Sequence, residues 1–222
     1  MTMKAVIALL GMTLGAGAGA AQQRAAVAAS VSLVEQRVDL DLGSGVQRTF
    51  GPVAGVHATF LATPWLELSG RARSGHLSAK TGAAESRDVG ELGVGASVLA
   101  SPSLAFTAGV QTRSFAGTFG TQRWTSVSLG VEERPEFIGG ALRAVFRAAV
   151  LPLVSVSGLP NPNIAVSVGS GLDWSKGRVS GTVLYTLERY DFPEQGSTRR
   201  LEQFGGLTIR MGLRLGRPAF GS

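Results

Sequence analysis

The chain of 222 residues has no cysteine, three lysines and two histidines, and its aromatic content is low, at three Trp, two Tyr and ten Phe. Without cysteine there is no disulfide scaffold, no Cys-ligated zinc or iron–sulfur site and no thiol nucleophile. Only 16% of the residues are charged and 44% are hydrophobic, which excludes intrinsic disorder. The 31 glycines have no three-residue period, which excludes collagen. After residue 21 no uncharged apolar run approaches the ~18–20 residues that a spanning helix needs. Yet mean hydropathy is +0.20, so the apolar side chains must be hidden in another way. The formal charge of +6 and a pI near 10.7 suggest nucleic acid as a partner. The arginines are dispersed and form no patch interleaved with aromatics, so no nucleic-acid partner is expected. Gly90-x-x-Gly93 and Gly93-x-Gly95 precede no helix and are not phosphate loops; no cofactor and no metal site is expected.

The N-terminus reads as a targeting segment. Met1 to Lys4 carries one positive charge, Ala5 to Ala18 is uncharged and apolar, and Ala18-Gly19-Ala20 fits a small-x-small cleavage pattern. Residues 1–20 are therefore expected to be a cleaved signal peptide and 21–222 one exported domain. No cysteine follows the cleavage site, which excludes a lipoprotein anchor.

The rest of the chain alternates with period two, apolar on one parity and small or polar on the other, the mark of β-strands with two different faces. Leu92, Val94, Ala96 and Val98 alternate with Glu91, Gly93, Gly95 and Ser97; Leu207, Ile209, Met211, Leu213 and Leu215 alternate with Thr208, Arg210, Gly212 and Arg214. Nine such segments are predicted, at 53–62, 66–73, 91–98, 104–111, 124–132, 141–150, 164–173, 178–188 and 201–215. A weaker one around 27–33, open to extension toward Leu42, makes ten. Short turns near 63–65, 100–103, 133–140 and 174–177 alternate with longer polar connections near 35–52, 77–88, 115–123, 151–163 and 189–200. Ten strands with both chain ends on the short-turn side is the layout of a transmembrane β-barrel, and strands of ~9–11 residues suit a tilted bilayer crossing. A secreted soluble β-barrel or sandwich binding protein is the alternative. It would set the polar parity in water, where Lys and Glu are expected; that parity is instead crowded with Gly, Ser, Ala and Thr, and no lysine falls in a predicted strand.

On these residues the chain resembles the small Gram-negative outer-membrane β-barrel proteins. The resemblance implies an all-β, antiparallel up-and-down barrel of ten strands (eight as the alternative count) in the outer membrane. Outer-membrane lipid, lipopolysaccharide and the barrel assembly machinery would be its partners. Such proteins usually end on an aromatic residue, whereas here Arg217 to Ser222 follow the last strand and Phe220 is near the end. Trp65, Trp174 and Tyr185 are candidates for an interfacial girdle.

The inward parity would carry Glu67, Arg71, Arg73, Glu91, Arg113, Glu132, Arg143, Arg147, Glu188, Glu202, Arg210 and Arg214. Charges in so narrow a lumen must pair or meet water; Glu91 with Arg73 and Glu132 with Arg143 are the pairs expected. One reading is a salt-bridged plug in a structural or surface-presenting protein. The other is a narrow passive channel whose spare Arg147 and Arg210 favour small anionic solutes. His57 is expected to face inward. His76 and Ser78, two apart on one strand face, could pair as base and nucleophile. Lipid A deacylases of the outer membrane use such a His-x-Ser arrangement with a Glu, so a lipid A-modifying hydrolase is the enzymatic alternative. Against it, the nearby Glu91 has the opposite parity, and no catalytic residue is assigned. Asp88 beside His76 is too little for an aspartate–histidine protease, and Asp39 and Asp41 read as solvated loop residues.

Overall fold

The computed structural model describes residues 24–40, 45–81, 84–138, 141–196 and 198–215. The expected signal peptide, Asp41 and Phe220 lie outside them. The described residues hold eleven strands and no helix: β1 (Arg24–Leu40), β2 (Val46–Thr63), β3 (Leu66–Ala79), β4 (Arg87–Leu99), β5 (Leu104–Gly117), β6 (Gly120–Glu133), β7 (Glu136–Ile138), β8 (Leu142–Val156), β9 (Ile164–Lys176), β10 (Val179–Asp191) and β11 (Arg200–Leu215). Each long strand pairs antiparallel with its neighbours in sequence. β1 pairs β11, and β6 pairs β8 across the three-residue β7, so ten strands close a ring. Closure satisfies every strand's backbone groups without a free edge, as hydrocarbon demands.

The apolar parity faces outward. Val31, Leu33, Leu92, Val94, Leu129, Val150, Ile209 and Met211 are all exposed. Along β11 this band runs from Leu215 to Leu207, roughly 20–25 Å for a strand tilted by about 40°, the height of a lipid-facing belt. Trp65 and Trp174 stand outward at the short-turn end. Tyr185 shares the belt's last apolar level with Leu207 and Leu33, at the other end.

The ten barrel strands are longer than the alternation predicts, at 13 to 18 residues. All five connections read as long are shortened, to 41–45, 80–86, 118–119, 157–163 and 192–199. β1 reaches Leu40, which places Asp39 in a strand, and Lys176 ends β9. The reason is physical: beyond the belt the outward side chains turn polar while backbone pairing continues. The apolar alternation stops where the lipid stops, not where the strand does. Outward ion pairs mark this collar: Glu35 with Arg48, Arg37 with Asp39 at 3.2 Å, and Asp191 with Arg199 at 2.7 Å.

Local chemistry sets the turns and the curvature. The Thr63 hydroxyl accepts from the Leu66 amide at 3.0 Å, and the Ser101 hydroxyl from Leu104 at 3.0 Å, closing two turns with their own side chains. Gly177 takes φ 60° in the two-residue turn between β9 and β10, a conformation that strains any residue with a Cβ. Gly171 faces inward where the wall bends. A Cβ there would lie 2.1 Å from the Val183 carbonyl oxygen, so the approach of β10 requires glycine.

Candidate functional site

The inward parity builds two regions, one above the other. In the half away from the short turns, the lumen is filled. Phe115 on β5 stacks on Phe204 of β11, diametrically across the ring, with ring centroids 5.5 Å apart. Trp124 on β6 meets Tyr190, Phe192 and Phe204 edge-on at 5.0, 6.0 and 5.4 Å. Leu77, Val53, Val89, Val154 and Val156 pack around these rings, and all are buried. Burial of rings against each other in T-shaped and stacked geometry adds to the hydrophobic contribution.

A charged layer lies beneath the rings. Glu91 on β4 is almost fully buried and meets three guanidinium groups: Arg71 at 3.0 Å, Arg73 at 2.6 Å and Arg113 at 3.0 Å. Arg113 also reaches across the lumen to Glu188 on β10 at 3.0 Å, and its guanidinium stacks 4.6 Å from the Phe204 ring centroid. The Tyr190 hydroxyl donates to Glu188 at 2.9 Å. Arg71 also donates to Gln111. Charge-assisted bonds of this kind are strongest where water is excluded, and the rings above shield Glu91 and Arg113 on that side. Glu202, fully buried, takes Arg200 at 2.7 Å and the Gln36 amide at 3.2 Å.

Toward the short turns the lumen opens into a cavity of about 710 Å³. This open half is a vestibule at the short-turn end of the barrel. Seven arginines and four carboxylates line it, among a wall of Ser, Thr, Gly and Ala. Glu132 is held by Arg147 and by Arg134, and Arg134 also lies 3.6 Å from Asp173. Arg143 pairs with Glu136 at 3.1 Å, not with Glu132; Arg147, the register partner of Glu132 on β8, takes that place. Arg147 is therefore not a spare charge. Glu67, Arg210, Arg214 and His57 also line the vestibule. Among the described residues, no carboxylate lies within 4 Å of Arg210.

The twelve residues expected on the inward parity thus divide. Glu91, Arg71, Arg73, Arg113 and Glu188 form one connected layer. Glu132 and Arg147 form a second with Arg134 and Asp173. Glu67, Arg143, Arg210 and Arg214 line the vestibule, and Glu202 joins neither layer. Sequence reasoning missed the five aromatic residues of the filled half. The signal was present: Phe115 continues the parity of Arg113, Tyr190 that of Glu188, and Phe204 that of Glu202. Phe115, Tyr190 and Phe192 fell in presumed connections because β5 and β10 were ended too early, whereas Trp124 and Phe204 stood at the ends of predicted strands and were not assigned to the lumen.

His76 points outward on β3, where its Nδ1 shares a 2.8 Å hydrogen bond with Asp88 on β4; both are exposed. Ser78 follows on the same outward face, and Glu91 lies inside the barrel.

No protein-family model matches the chain, and no curated protein matches it. Solved structures do. The outer-membrane protease OmpT from Escherichia coli superposes with a TM-score of 0.59 at 9% identity, covering 91% of this chain and 100% of OmpT. Neisserial surface protein A matches with a TM-score of 0.40 at 10% identity, covering 86% and 97%. The translocator domain of the autotransporter NalP from Neisseria meningitidis matches at 0.42 and 14%, covering 97% and 93%. The fold of this chain is that of an outer-membrane β-barrel with ten strands.

Proposed function

We propose that the protein is a non-enzymatic outer-membrane barrel with a closed lumen, exported by residues 1–20, whose role is structural and surface-presenting. The observation that carries this reading is the contact between rings from opposite walls: Phe115 on Phe204, with Trp124 beside them. Beneath them the Arg113–Glu188 pair bridges β5 and β10, so any solute would have to break buried ion pairs to pass. Strands that continue beyond the belt carry a charged collar toward the outside, the surface such a protein offers to lipopolysaccharide and to other partners. OmpT is a protease, but at 9% identity its likeness concerns the fold alone.

The test is single-channel recording of the refolded barrel in planar bilayers. A folded, heat-modifiable protein without discrete conductance steps is the expected result. Steps in the unaltered protein would overturn the closed-lumen reading and favour a narrow channel.

A further inference from the structure

We propose that the vestibule is a binding site for a small multivalent oxyanion, bearing phosphate or carboxylate groups, that enters from the periplasmic end and is held by Arg210. Three observations lead there. The cavity, at about 710 Å³, is of the size that small ligands occupy. Its arginines outnumber its carboxylates, and most are already committed: Arg71 and Arg73 to Glu91, Arg134 and Arg147 to Glu132, and Arg143 to Glu136. Arg210 is not: its Nε, like those of Arg73 and Arg147, is buried without a hydrogen-bond partner, but it alone of the three has no carboxylate in contact.

The position of Arg210 adds weight. It projects from the middle of β11, inside the lipid belt, and its register partners are Ser30 on β1 and Thr182 on β10. A guanidinium at that depth with no carboxylate in contact is costly, and positions of this kind mark sites that take a counter-charge. Between its charged side chains the wall offers hydroxyl donors from Ser30, Thr182 and Thr208, which suits an oxyanion with several acceptor atoms. Low-dielectric walls focus the excess positive field along the axis toward the mouth. The aromatic plug ends the path, so an anion entering there would be retained and returned, not conducted. The direction of entry rests on the closed-lumen reading; the binding itself does not.

The experiment is calorimetric titration of the refolded barrel in neutral detergent with inorganic phosphate. Saturable binding is expected. Arg210→Gln should weaken it at least about tenfold, the loss of a charge-assisted contact, while Arg48→Gln on the outer collar should leave it unchanged. Folding of each variant is checked by heat-modifiable migration. As a second readout, the absence of native cysteine makes Thr182→Cys a unique label site. Phosphate should slow its reaction with a negatively charged thiol reagent. No saturable binding, equal affinity in Arg210→Gln, or an equal loss in Arg48→Gln would overturn the proposal. If Arg210→Gln does not fold, the absence of phosphate protection at the Thr182→Cys thiol does so. A conducting barrel that binds phosphate would refute the closed lumen and leave the site standing; a silent barrel that ignores phosphate would do the reverse.

Discussion

Trp124 and Ser126 stand two residues apart on the same face of β6, and they belong to different worlds. Trp124 is buried against the rings of Tyr190, Phe192 and Phe204, while Ser126 lines the cavity of about 710 Å³. The same contrast recurs on β10, between Tyr190 and Thr182, and on β11, between Phe204 and Arg210. One set of strands therefore builds a solid cap and a hollow base, by changing the size of the inward residues along its length. The lesson is that the lumen diameter of a ten-stranded ring is fixed by backbone geometry, and side-chain volume decides whether it is filled.

The largest expected effect tests the cap. Trp124→Ala removes the ring that the others meet edge-on and should cost about 3–5 kcal/mol in urea unfolding; an equally large loss from Ser126→Ala would erase the contrast between the halves. Next comes the charged layer under the cap. Glu91→Ala strands the buried Arg113 and removes the shared partner of Arg71 and Arg73, and should also cost roughly 3–5 kcal/mol, whereas Glu67→Ala, in the vestibule, should cost under about 1 kcal/mol in the same assay. The outside of the barrel gives a third step. Ile209→Arg, on the lipid belt, should destabilise the protein in bilayers by about 2–4 kcal/mol, and an unchanged stability would mean that this face does not meet lipid. The smallest effect is expected on the collar. His76→Ala breaks one exposed hydrogen bond to Asp88, worth less than about 1 kcal/mol, and should leave the acylation of lipid A in the expressing cells unaltered by mass spectrometry. A change in acylation that vanishes with this substitution would revive the enzymatic reading.

How much was legible beforehand follows the same division. The strand count, the antiparallel order and the outward apolar face were readable because lipid on one side imposes strict alternation. The pair of Arg73 with Glu91 was readable too, since adjacent hairpin strands with a known turn bring register partners together. Glu132 was assigned to Arg143 and met Arg147, because β7 and the bulge near Val127–Leu129 shift that register in a way no local pattern announces. The cap was missed because Phe115, Trp124, Tyr190 and Phe204 lie beyond the belt, where the outward residues become polar and the alternation fades.

The sequence by itself determined a barrel that hides its backbone and shows its Leu, Val and Ile to lipid, because period two and strand number are local and additive properties. Only the tertiary structure decided what happens inside. Phe115 and Phe204 are far apart in the chain and meet because ring closure sets β5 opposite β11. Arg113 and Glu188 join for the same reason, while Arg210 is left facing a cavity. Contacts across a lumen depend on the curvature of the whole ring, and no segment of the chain carries that information alone.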